Sequence, residues 1–257
     1  MQRYFVGDSW LTAGQRIAIS GEDFHHIVRV MRMKPLAQIQ VVASGQVWQA
    51  QIAAIGKESV EVCVLELLAK DAEPPIHITL IQGLPKGEKI DSIIRQACEV
   101  GITHLAIFTA LRSVGCVPWD KREQRLTRWR KMAKESAEQA QRSKIPQISQ
   151  FDSLQDALRN LADKTEILVP YEAQDQDLPS LKQVVQTLRT KQGDDMTKSG
   201  SVSSAAIVIG PEGGFDPREI ELVKASRGHL LTLGPRIMRT ETAGIVVAAI
   251  VLYDLFG

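Results

Sequence analysis

Two glycine-containing segments carry the residue types best suited to chemistry. Residues 207–215 read IVIGPEGGF, in which a strand-like run leads into a Gly-Pro turn with Glu212 at its centre. Residues 231–243 read LTLGPRIMRTETA, a second strand end and Gly-Pro turn before an apolar helix. Because open α/β sheets place ligands at the carboxyl ends of their strands, we expect both segments to border one crevice.

Three classes of ligand favour a glycine loop between a strand and a helix. A P-loop needs GxxxxGK[ST], which the chain lacks, and Glu212 would repel a triphosphate. A dinucleotide loop needs GxGxxG after the first strand of its domain, whereas GPEGGF follows the fourth predicted strand. A positively charged ligand is compatible with Glu212, and S-adenosylmethionine (SAM), with its sulfonium and ammonium groups, is one. For GPEGG alone, a tight structural turn is the competing interpretation.

The second segment adds Arg236, Arg239, Thr240 and Glu241 to the same crevice. A structural interpretation makes Thr240 the cap of the last helix, but capping does not explain two arginines at one turn. A guanidinium stays protonated in proteins, so Arg239 is suited to stabilising developing negative charge rather than to removing a proton. Glu241, in the first helical turn, is favoured as an anion by the helix dipole and is suited to orienting Arg239.

Basic residues mark two further surfaces. From Arg112 to Lys144 ten Lys and Arg stand against four Asp and Glu, although the net charge of the chain is only +1. This pattern indicates nucleic-acid binding, with a solvated helix face as the alternative. A helix over 121–142 would bury Leu126, Trp129, Met132, Ala133 and Ala140 and present Arg122, Arg125, Arg128 and Lys131 to phosphates. The segment 25–34 offers His25, His26, Arg29, Arg32 and Lys34.

The elements that position these residues fall into two groups. The first ~70 residues contain short β-rich runs, RIAIS, QIQVV, VWQAQIAAI and SVEVCVLEL, which predict a small barrel. DAEPP at 71–75 predicts a linker. Strand-like runs then alternate with helical patterns, which predicts a parallel sheet with crossover helices. The predicted strands are IHITLIQG, HLAIFTA, EILVP, AIVIG and HLLTL, and the predicted helices span roughly 88–100, 121–142, 153–162, 217–227 and 241–256.

Two local features refine this pattern. Asp216-Pro217 with Glu219 predicts a capped helix start, in which the glutamate reaches back to the cap. The polar stretch 191–204 predicts a surface loop.

The composition is that of a soluble globular protein of 257 residues, with 44% hydrophobic and 24% charged residues. Cys63, Cys98 and Cys116 are widely spaced, which predicts neither a disulfide framework nor a zinc site. The first ten residues contain no apolar signal segment, and the apolar run 243–253 is too short to cross a bilayer. We therefore expect a cytoplasmic protein without membrane contact.

Five motifs carry a family resemblance. IGPEGGF and LGPRIMRTETA together closely resemble the ribosomal RNA small subunit methyltransferase E family, SPOUT-class enzymes that methylate N3 of a uridine in 16S rRNA. HHIVRVMRMK is similar to the N-terminal signature of that family, PKGEKIDSIIRQACEVGI to its first helix, and ESAEQAQRSKIP to its EQxxR helix. The chain departs from the family at Gln96, where lysine is usual, and at Val100 and Met238, where leucine is usual. The 191–204 loop is also long for the family.

The resemblance implies an α/β fold with a PUA-like β-barrel over 1–72, followed by a SPOUT domain over 73–257 with a C-terminal trefoil knot. It also implies a homodimer that acts on 16S rRNA of the small ribosomal subunit, with SAM bound at the knot and no metal. Unknotted connections are the default in proteins, so the knot rests on the resemblance alone.

The residue patterns and the resemblance together give three sets of expected site residues. The catalytic residues are Arg239 and Glu241. The cofactor-binding residues are Val169, Gly210, Pro211, Glu212, Gly213, Gly214, Leu231, Leu233, Gly234, Ile237, Met238 and Thr240. The RNA-binding residues are His25, His26, Arg29, Arg32, Arg122, Arg125, Arg128 and Arg142.

Three alternatives stay open at the level of the sequence. A SPOUT methyltransferase of another rRNA position or of tRNA would carry the same cofactor loops. A non-catalytic RNA-binding assembly factor would keep the barrel and the basic surfaces but would not bind SAM. A nucleotide hydrolase is disfavoured by Glu212 and by the missing GK[ST].

Overall fold

The computed structural model describes residues 1–7, 9–68, 73–74, 76–113, 121–172, 177–192 and 204–256. The chain forms two compact units, one of residues 1–73 with 134–145 and one of residues 74–133 with 146–257. The expected division after residue 72 assigned 134–145 to the second domain, and the domain assignment itself stays a prediction. The expected linker 71–75 lies mostly outside the described residues.

The first unit is built on a five-stranded sheet in the order β1-β3-β4-β5-β2. Its strands are β1 Arg3–Phe5, β2 Arg16–Ser20, β3 Gln38–Ala43, β4 Gln46–Ile55 and β5 Ser59–Leu67. The four longer strands match the predicted runs. All neighbours are antiparallel except β1 and β3. Strands β1 and β2 are the two edge strands of this sheet. Closure of the sheet into a barrel stays a prediction.

A short helical segment, absent from the prediction, follows β2. Helix α1 spans Gly21–His25 and continues as a π-helix over His26–Val30. Ile27 of this segment is fully buried in the core of the first unit, beside Ile39, Val41, Val60 and Val62 of the sheet. A ten-residue segment with one deeply buried side chain has too little apolar periodicity to predict a helix.

The second unit is a six-stranded, wholly parallel sheet in the order β11-β9-β10-β6-β7-β8. Its strands are β6 His77–Gly83, β7 His104–Phe108, β8 Gln147–Phe151, β9 Glu166–Pro170, β10 Ser204–Ile209 and β11 His229–Leu231. The helices are α2 Lys89–Val100, α3 Arg122–Gln139, α4 Leu154–Arg159, α5 Leu181–Gln192, α6 Pro217–Ala225 and α7 Thr240–Phe256. From Lys134 onward, α3 belongs to the first unit.

Both faces of the parallel sheet are covered, as expected for strands that are apolar throughout. One core contains Leu80 of β6 with apolar residues of α2, α3, α5 and α7. The other contains Ile81 of β6 with residues of α4 and α6. The alternating α/β architecture of this unit is confirmed, whereas the trefoil knot stays a prediction.

Several predicted elements need correction. Strand β8 and helix α5 were not predicted, so the GPEGGF loop follows the fifth strand of its domain rather than the fourth. Helix α3 ends at Gln139, so residues 140–142 of the predicted helix are not helical. Of the predicted 191–204 loop, residues 191–192 belong to α5, Ser204 begins β10, and 193–203 lie outside the described residues.

The predicted start of α6 is confirmed. The Asp216 side chain accepts a hydrogen bond from the backbone N–H of Arg218, and the N–H of Asp216 donates to Glu219 at 2.8 Å. Within the described part of the chain, no helix combines the length and the apolar character that crossing a membrane requires.

Candidate functional site

A cleft of about 500 Å³ lies beside the carboxyl ends of β9 and β10 and the start of α7. Its volume falls within the range of about 300–1,000 Å³ that is typical of small-molecule sites. Eight of the residues expected from the sequence line it: Gly210, Pro211, Glu212, Gly214, Ile237, Met238, Arg239 and Thr240. The two glycine-containing segments therefore border one crevice, as their strand-end positions predicted.

A smaller cavity of about 110 Å³ adjoins the cleft and shares Ile237 and Met238 with it. Leu233 and Gly234, both expected at the cofactor, line this smaller cavity together with Arg236. Val169 and Leu231, also expected there, are fully buried in β9 and β11, where their side chains belong to the two cores of the sheet.

The side chain of Thr240 ties the two loops together. Its hydroxyl donates to the carbonyl oxygen of Gly210 at 2.7 Å and accepts a hydrogen bond from Nε2 of Gln82 at 2.8 Å. Gln82 is fully buried at the end of β6. The threonine therefore positions the GPEGG loop against the start of α7, which is a larger role than the expected helix cap. Sequence reasoning missed Gln82, although a polar residue at the end of the apolar strand IHITLIQG was a signal.

The glycines let the loop approach the sheet closely. A Cβ on Gly83, at the end of β6, would lie 2.7 Å from the backbone nitrogen of Pro211, a distance that requires the backbone to move. Gly214 has a φ of +69°, which a residue with a side chain adopts at a cost. The path of residues 210–214 therefore depends on glycine on both sides of the contact.

Lys89, in the first turn of α2, joins two carboxylates at the cleft. Its Nζ lies 2.9 Å from Oε1 of Glu212 and 3.5 Å from Oε2 of Glu241. The backbone N–H of Lys86 also donates to Glu212 at 3.1 Å. Sequence reasoning expected Glu241 to orient Arg239 and missed Lys89. The structure instead pairs Glu241 with this lysine, which corrects the expected pairing with Arg239.

These contacts shift two pKa values. Burial acts to raise the pKa of Glu212, but the hydrogen bonds from Lys89 and from the Lys86 backbone outweigh it and hold the pKa below its usual value. The hydrogen bond to Glu212 in turn raises the pKa of Lys89. Both groups are therefore charged at neutral pH.

Two arginines of the cleft, Arg239 and Arg112, make at most weak contacts with carboxylates of the described residues. The side chain of Arg239 is exposed, and within the described ranges of the chain no hydrogen bond or ion pair engages its guanidinium. Nε of Arg112, which follows β7, lies 3.9 Å from Oδ2 of Asp216. Guanidinium groups in this state are available to an anion that enters the cleft.

The expected RNA-binding residues of the first unit are mostly accessible. His25, Arg29 and Arg32 are exposed. His26 is half-buried, and its Nδ1 lies 3.0 Å from the hydroxyl of Tyr4.

The arginines of α3 are held in place by the second unit. Arg128 forms two hydrogen bonds with Asp91, at 2.6 and 2.7 Å, and Arg122 contacts Asp152 at 3.0 Å. The guanidinium of Arg125 lies 5.5 Å from the ring centroid of Trp129, which is fully buried, as predicted for a core residue.

Arg142 is a correction to the expected RNA surface. Its side chain is 4% exposed, and it forms two hydrogen bonds with Glu73, at 3.2 and 2.5 Å. Glu73 also accepts hydrogen bonds from the backbone N–H groups of Ser143 and Lys144. A guanidinium buried in this way fixes residues 142–144 within the first unit and does not reach a phosphate. Among the residues that the structure describes, no cluster of three His, Cys, Asp or Glu side chains is suited to a metal ion.

Comparison with known proteins gives a consistent result along the whole chain. Family models of an RNA methyltransferase domain and of an RNA methyltransferase PUA domain match residues 72–252 and 19–65. The chain is 34% identical to the ribosomal RNA small subunit methyltransferase E of Bacillus subtilis, over 99% of this chain and 97% of the relative. It is 28% identical to the protein of the same name from Buchnera aphidicola subsp. Schizaphis graminum, over 96% and 94%.

Two solved structures have the same fold. The crystal structure of a hypothetical protein is 32% identical, with a TM-score of 0.85 over 98% of both chains. The ribosomal RNA small subunit methyltransferase E of Neisseria gonorrhoeae, crystallised with S-adenosyl methionine, is 24% identical, with a TM-score of 0.82 over 100% of this chain and 98% of that one. The second likeness concerns the fold alone.

Proposed function

The chain belongs to the ribosomal RNA small subunit methyltransferase E family, and on this premise we propose that it transfers a methyl group from SAM to N3 of a uridine in 16S rRNA. One observation supports this proposal above the others. Two loops that carry glycines, Glu212 and Arg239 converge on a cleft of about 500 Å³ and are tied together by the hydrogen bond from Thr240 to Gly210.

The cleft suits SAM in shape and in charge. The main cavity and the adjoining cavity of about 110 Å³ provide two connected compartments for a ligand with a nucleoside half and an amino-acid half. Ile237 and Met238 line both compartments and offer apolar contact to an adenine ring. The carboxylate of Glu212 is kept ionised by its neighbours and retains lone pairs for a cationic group. Bound there, SAM supplies the methyl group.

The protein residues then act mainly on the uracil. N3 becomes nucleophilic as its proton leaves, and negative charge spreads to the two neighbouring carbonyl oxygens. Arg239 lines the cleft at the entrance to α7, and its proposed role is to donate hydrogen bonds to those oxygens. Lys89 and Glu241 hold the first turns of α2 and α7 together beside it. Arg239 is therefore the proposed catalytic residue, and Glu241 becomes a proposed positioning residue.

Two surfaces are proposed to hold the RNA. In the first unit, a PUA-like barrel by proposal, His25, Arg29 and Arg32 are exposed. In the second unit, Arg122, Arg125 and Arg128 lie along the first half of α3. Ion pairs with Asp152 and Asp91 orient Arg122 and Arg128, and Arg128, whose side chain is 54% exposed, has further N–H donors for a phosphate.

The active form is proposed to be a cytoplasmic homodimer with a C-terminal trefoil knot. Helix α7 supports the dimer, because it leaves Ile250 and Tyr253 42% and 80% exposed, on a stripe with Thr242, Val246 and Ala249. A second copy of the chain would cover this stripe. Sedimentation equilibrium of the purified protein tests this point, and a monomer at all concentrations would contradict it.

Calorimetry tests the cofactor assignment. Titration of the purified protein with SAM and with its demethylated product, in the presence of EDTA, is expected to show saturable binding of both. Tight ATP binding without a SAM signal would contradict the proposal.

A further inference from the structure

The turn of residues 110–113, which follows β7, is hydrogen-bonded to a buried carboxylate in the first turn of α6. The backbone N–H of Leu111 donates to Oε1 of Glu219 at 3.0 Å, and the N–H of Ser113 donates to the carbonyl oxygen of Ala110 at 2.9 Å. Glu219 is 2% exposed, and its other oxygen accepts the N–H of Asp216. One buried carboxylate thus fixes both the start of α6 and this turn.

The turn also packs directly against the GPEGG loop. A Cβ on Gly213 would lie 3.1 Å from the carbonyl oxygen of Arg112 and 3.3 Å from its Cβ. Sequence reasoning assigned Gly213 to the cofactor, yet this residue does not belong to the lining of the cleft. Its lack of a side chain instead lets the backbone of Arg112 lie beside the loop.

Two side chains project from this backbone, and no residue of the described ranges engages either of them closely. Leu111 is 56% exposed. Arg112 lines the cleft and is 48% exposed, and the carboxylate of Asp216 lies 3.9 Å away and is already engaged by Arg218 at 2.9 Å. A rigid backbone that presents one apolar and one guanidinium group at a cleft is suited to a nucleotide, which has an apolar face and an anionic phosphate.

We propose that the 110–113 turn is the docking site for the RNA nucleotide that enters the cleft: Arg112 binds a phosphate flanking the target uridine, and Leu111 contacts the face of a ribose or base. This inference rests on the proposed function and extends it to residues outside the two loops. The matching partner is a phosphodiester of single-stranded RNA, since a planar guanidinium binds two phosphate oxygens at once. The carboxylate of SAM is the competing ligand for Arg112, and the experiment separates the two.

The test compares Arg112→Ala with Arg218→Ala as the matched control. Both arginines are exposed and contact Asp216, but Arg218 does not line the cleft. Binding of an unmodified 16S rRNA transcript is measured between low and high salt, and SAM affinity is measured by calorimetry. Arg112→Ala is expected to weaken RNA binding about 10-fold, as for the loss of a charge-assisted hydrogen bond, and to lower the salt slope by about 0.7–0.9. Arg218→Ala is expected to leave RNA affinity and salt slope unchanged, and SAM affinity is expected to stay unchanged in both variants.

The variant Leu111→Ala tests the proposed apolar contact separately from the charge of Arg112. Because an apolar contact releases no counterions, this variant is expected to weaken RNA binding without changing the salt slope. Its mass in solution is measured alongside, because a second copy of the chain is another partner that an exposed leucine fits. A change of oligomeric state with unaltered RNA binding would overturn the assignment of Leu111.

Other outcomes overturn the assignment of Arg112. A loss of SAM affinity in Arg112→Ala would make the residue a cofactor contact. Equal losses in Arg112→Ala and Arg218→Ala would show a general effect of surface charge. RNA binding is read without turnover, so a wild-type protein that binds RNA through Arg112 but incorporates no methyl group would contradict the proposed function and leave this inference standing.

Discussion

At the scale of residues, the cleft is organised by a lysine that the sequence did not single out. Lys89 reaches both Glu212, in the GPEGG loop, and Glu241, in the first turn of α7. Sequence reasoning paired Glu241 with Arg239 because the two are neighbours at the start of one helix. A lysine more than a hundred residues away in the chain is the closer partner, and only the packing of α2 beside α7 brings it there. Contacts of this range cannot be read from local spacing.

The Lys89–Glu212 pair predicts a pH-dependent contribution to stability. The pKa of Glu212 is lowered in the folded protein. Such a carboxylate stabilises the fold above its unfolded pKa, about 4.3 for glutamate, and the contribution is lost as the pH falls through the lower, folded pKa. Lys89→Met is therefore expected to lower the Tm at pH 7, and the difference from wild type is expected to shrink in acid. Thermal melts across this range check it, and a Tm difference that does not change with pH would contradict it.

Arg239 carries the prediction for turnover. A donor aimed at developing charge typically contributes about 3–4 kcal/mol, roughly two to three orders of magnitude in rate. Arg239→Ala is expected to lower single-turnover methylation at saturating SAM by this factor with little change in SAM affinity, because the charge develops only on the uracil. Arg239→Lys is expected to recover part of the rate, since a point charge lacks the planar fork. Arg218→Ala is the control.

If Arg239 only braces the turn before α7, the pattern differs. Arg239→Ala would then show a lower Tm and weaker SAM binding, with nearly normal turnover at saturating SAM. A thermal melt run beside the kinetics separates the two roles.

At the scale of elements, the two hydrogen bonds of the Thr240 hydroxyl hold the GPEGG loop against the start of α7. The hydroxyl has one proton, which it donates to Gly210, so it must accept from Gln82. The strand-end positions of the two segments predicted that they converge. The bridge itself depends on a buried glutamine from a third strand, whose side-chain direction the sequence pattern does not give.

Variants of Thr240 test this bridge. Thr240→Val removes one of the two hydrogen bonds of the buried Gln82 amide, which keeps its bond to the carbonyl of Gly83, and it removes the hydroxyl donor to the carbonyl of Gly210. This loss is expected to cost about 1–3 kcal/mol of stability and to weaken SAM binding. Thr240→Ser keeps the hydroxyl and is expected to remain close to wild type. Urea unfolding and calorimetry provide the two readouts. Equal behaviour of the Val and Ser variants would contradict the bridge.

Helix α5 and strand β8, which were not predicted, differ in how clear their sequence patterns are. In α5, the buried residues Leu181, Val184, Val185 and Leu188 follow helical spacing, so the signal was present beside a polar stretch that masked it. Strand β8 reads QISQF, has one buried residue, Ile148, and lies at the edge of its sheet. A short polar edge strand has little pattern to detect. The apolar interior strands β6, β7, β9 and β10 were all predicted.

The buried ion pair of Glu73 and Arg142 also acts at the scale of elements, because it fixes the segment after α3 within the first unit. Both side chains are 4% exposed. Removing one member of a buried ion pair typically costs about 3–5 kcal/mol, so Glu73→Ala is expected to lower the unfolding free energy by that amount. Glu61→Ala, which breaks the exposed pair with Arg16, is the control and is expected to cost less than about 1 kcal/mol. Similar losses in urea unfolding for the two variants would contradict the structural role of Arg142.

At the scale of the whole molecule, motif order was more informative than composition. A near-neutral chain with a basic segment is compatible with many functions, and the alternation of strands and helices predicted only a parallel sheet. The family followed from five motifs in one order along the chain, and the matches over 19–65 and 72–252 agree with it. The proposed knot and the proposed dimer have no local sequence signal, because a knot is a property of the chain path and a dimer is a property of the exposed surface.

Methylation of 16S rRNA in vitro tests the central claim most directly. Unmodified 16S rRNA and small subunits from cells that lack this protein are incubated with the purified protein and isotopically labelled SAM, in EDTA, and the digested RNA is analysed by mass mapping. The expected result is one labelled methyl group on N3 of a single uridine, absent when Arg239→Ala is used for the same time. A methyl group on another atom or another RNA would contradict the account, as would the absence of any labelled product from a protein that binds SAM.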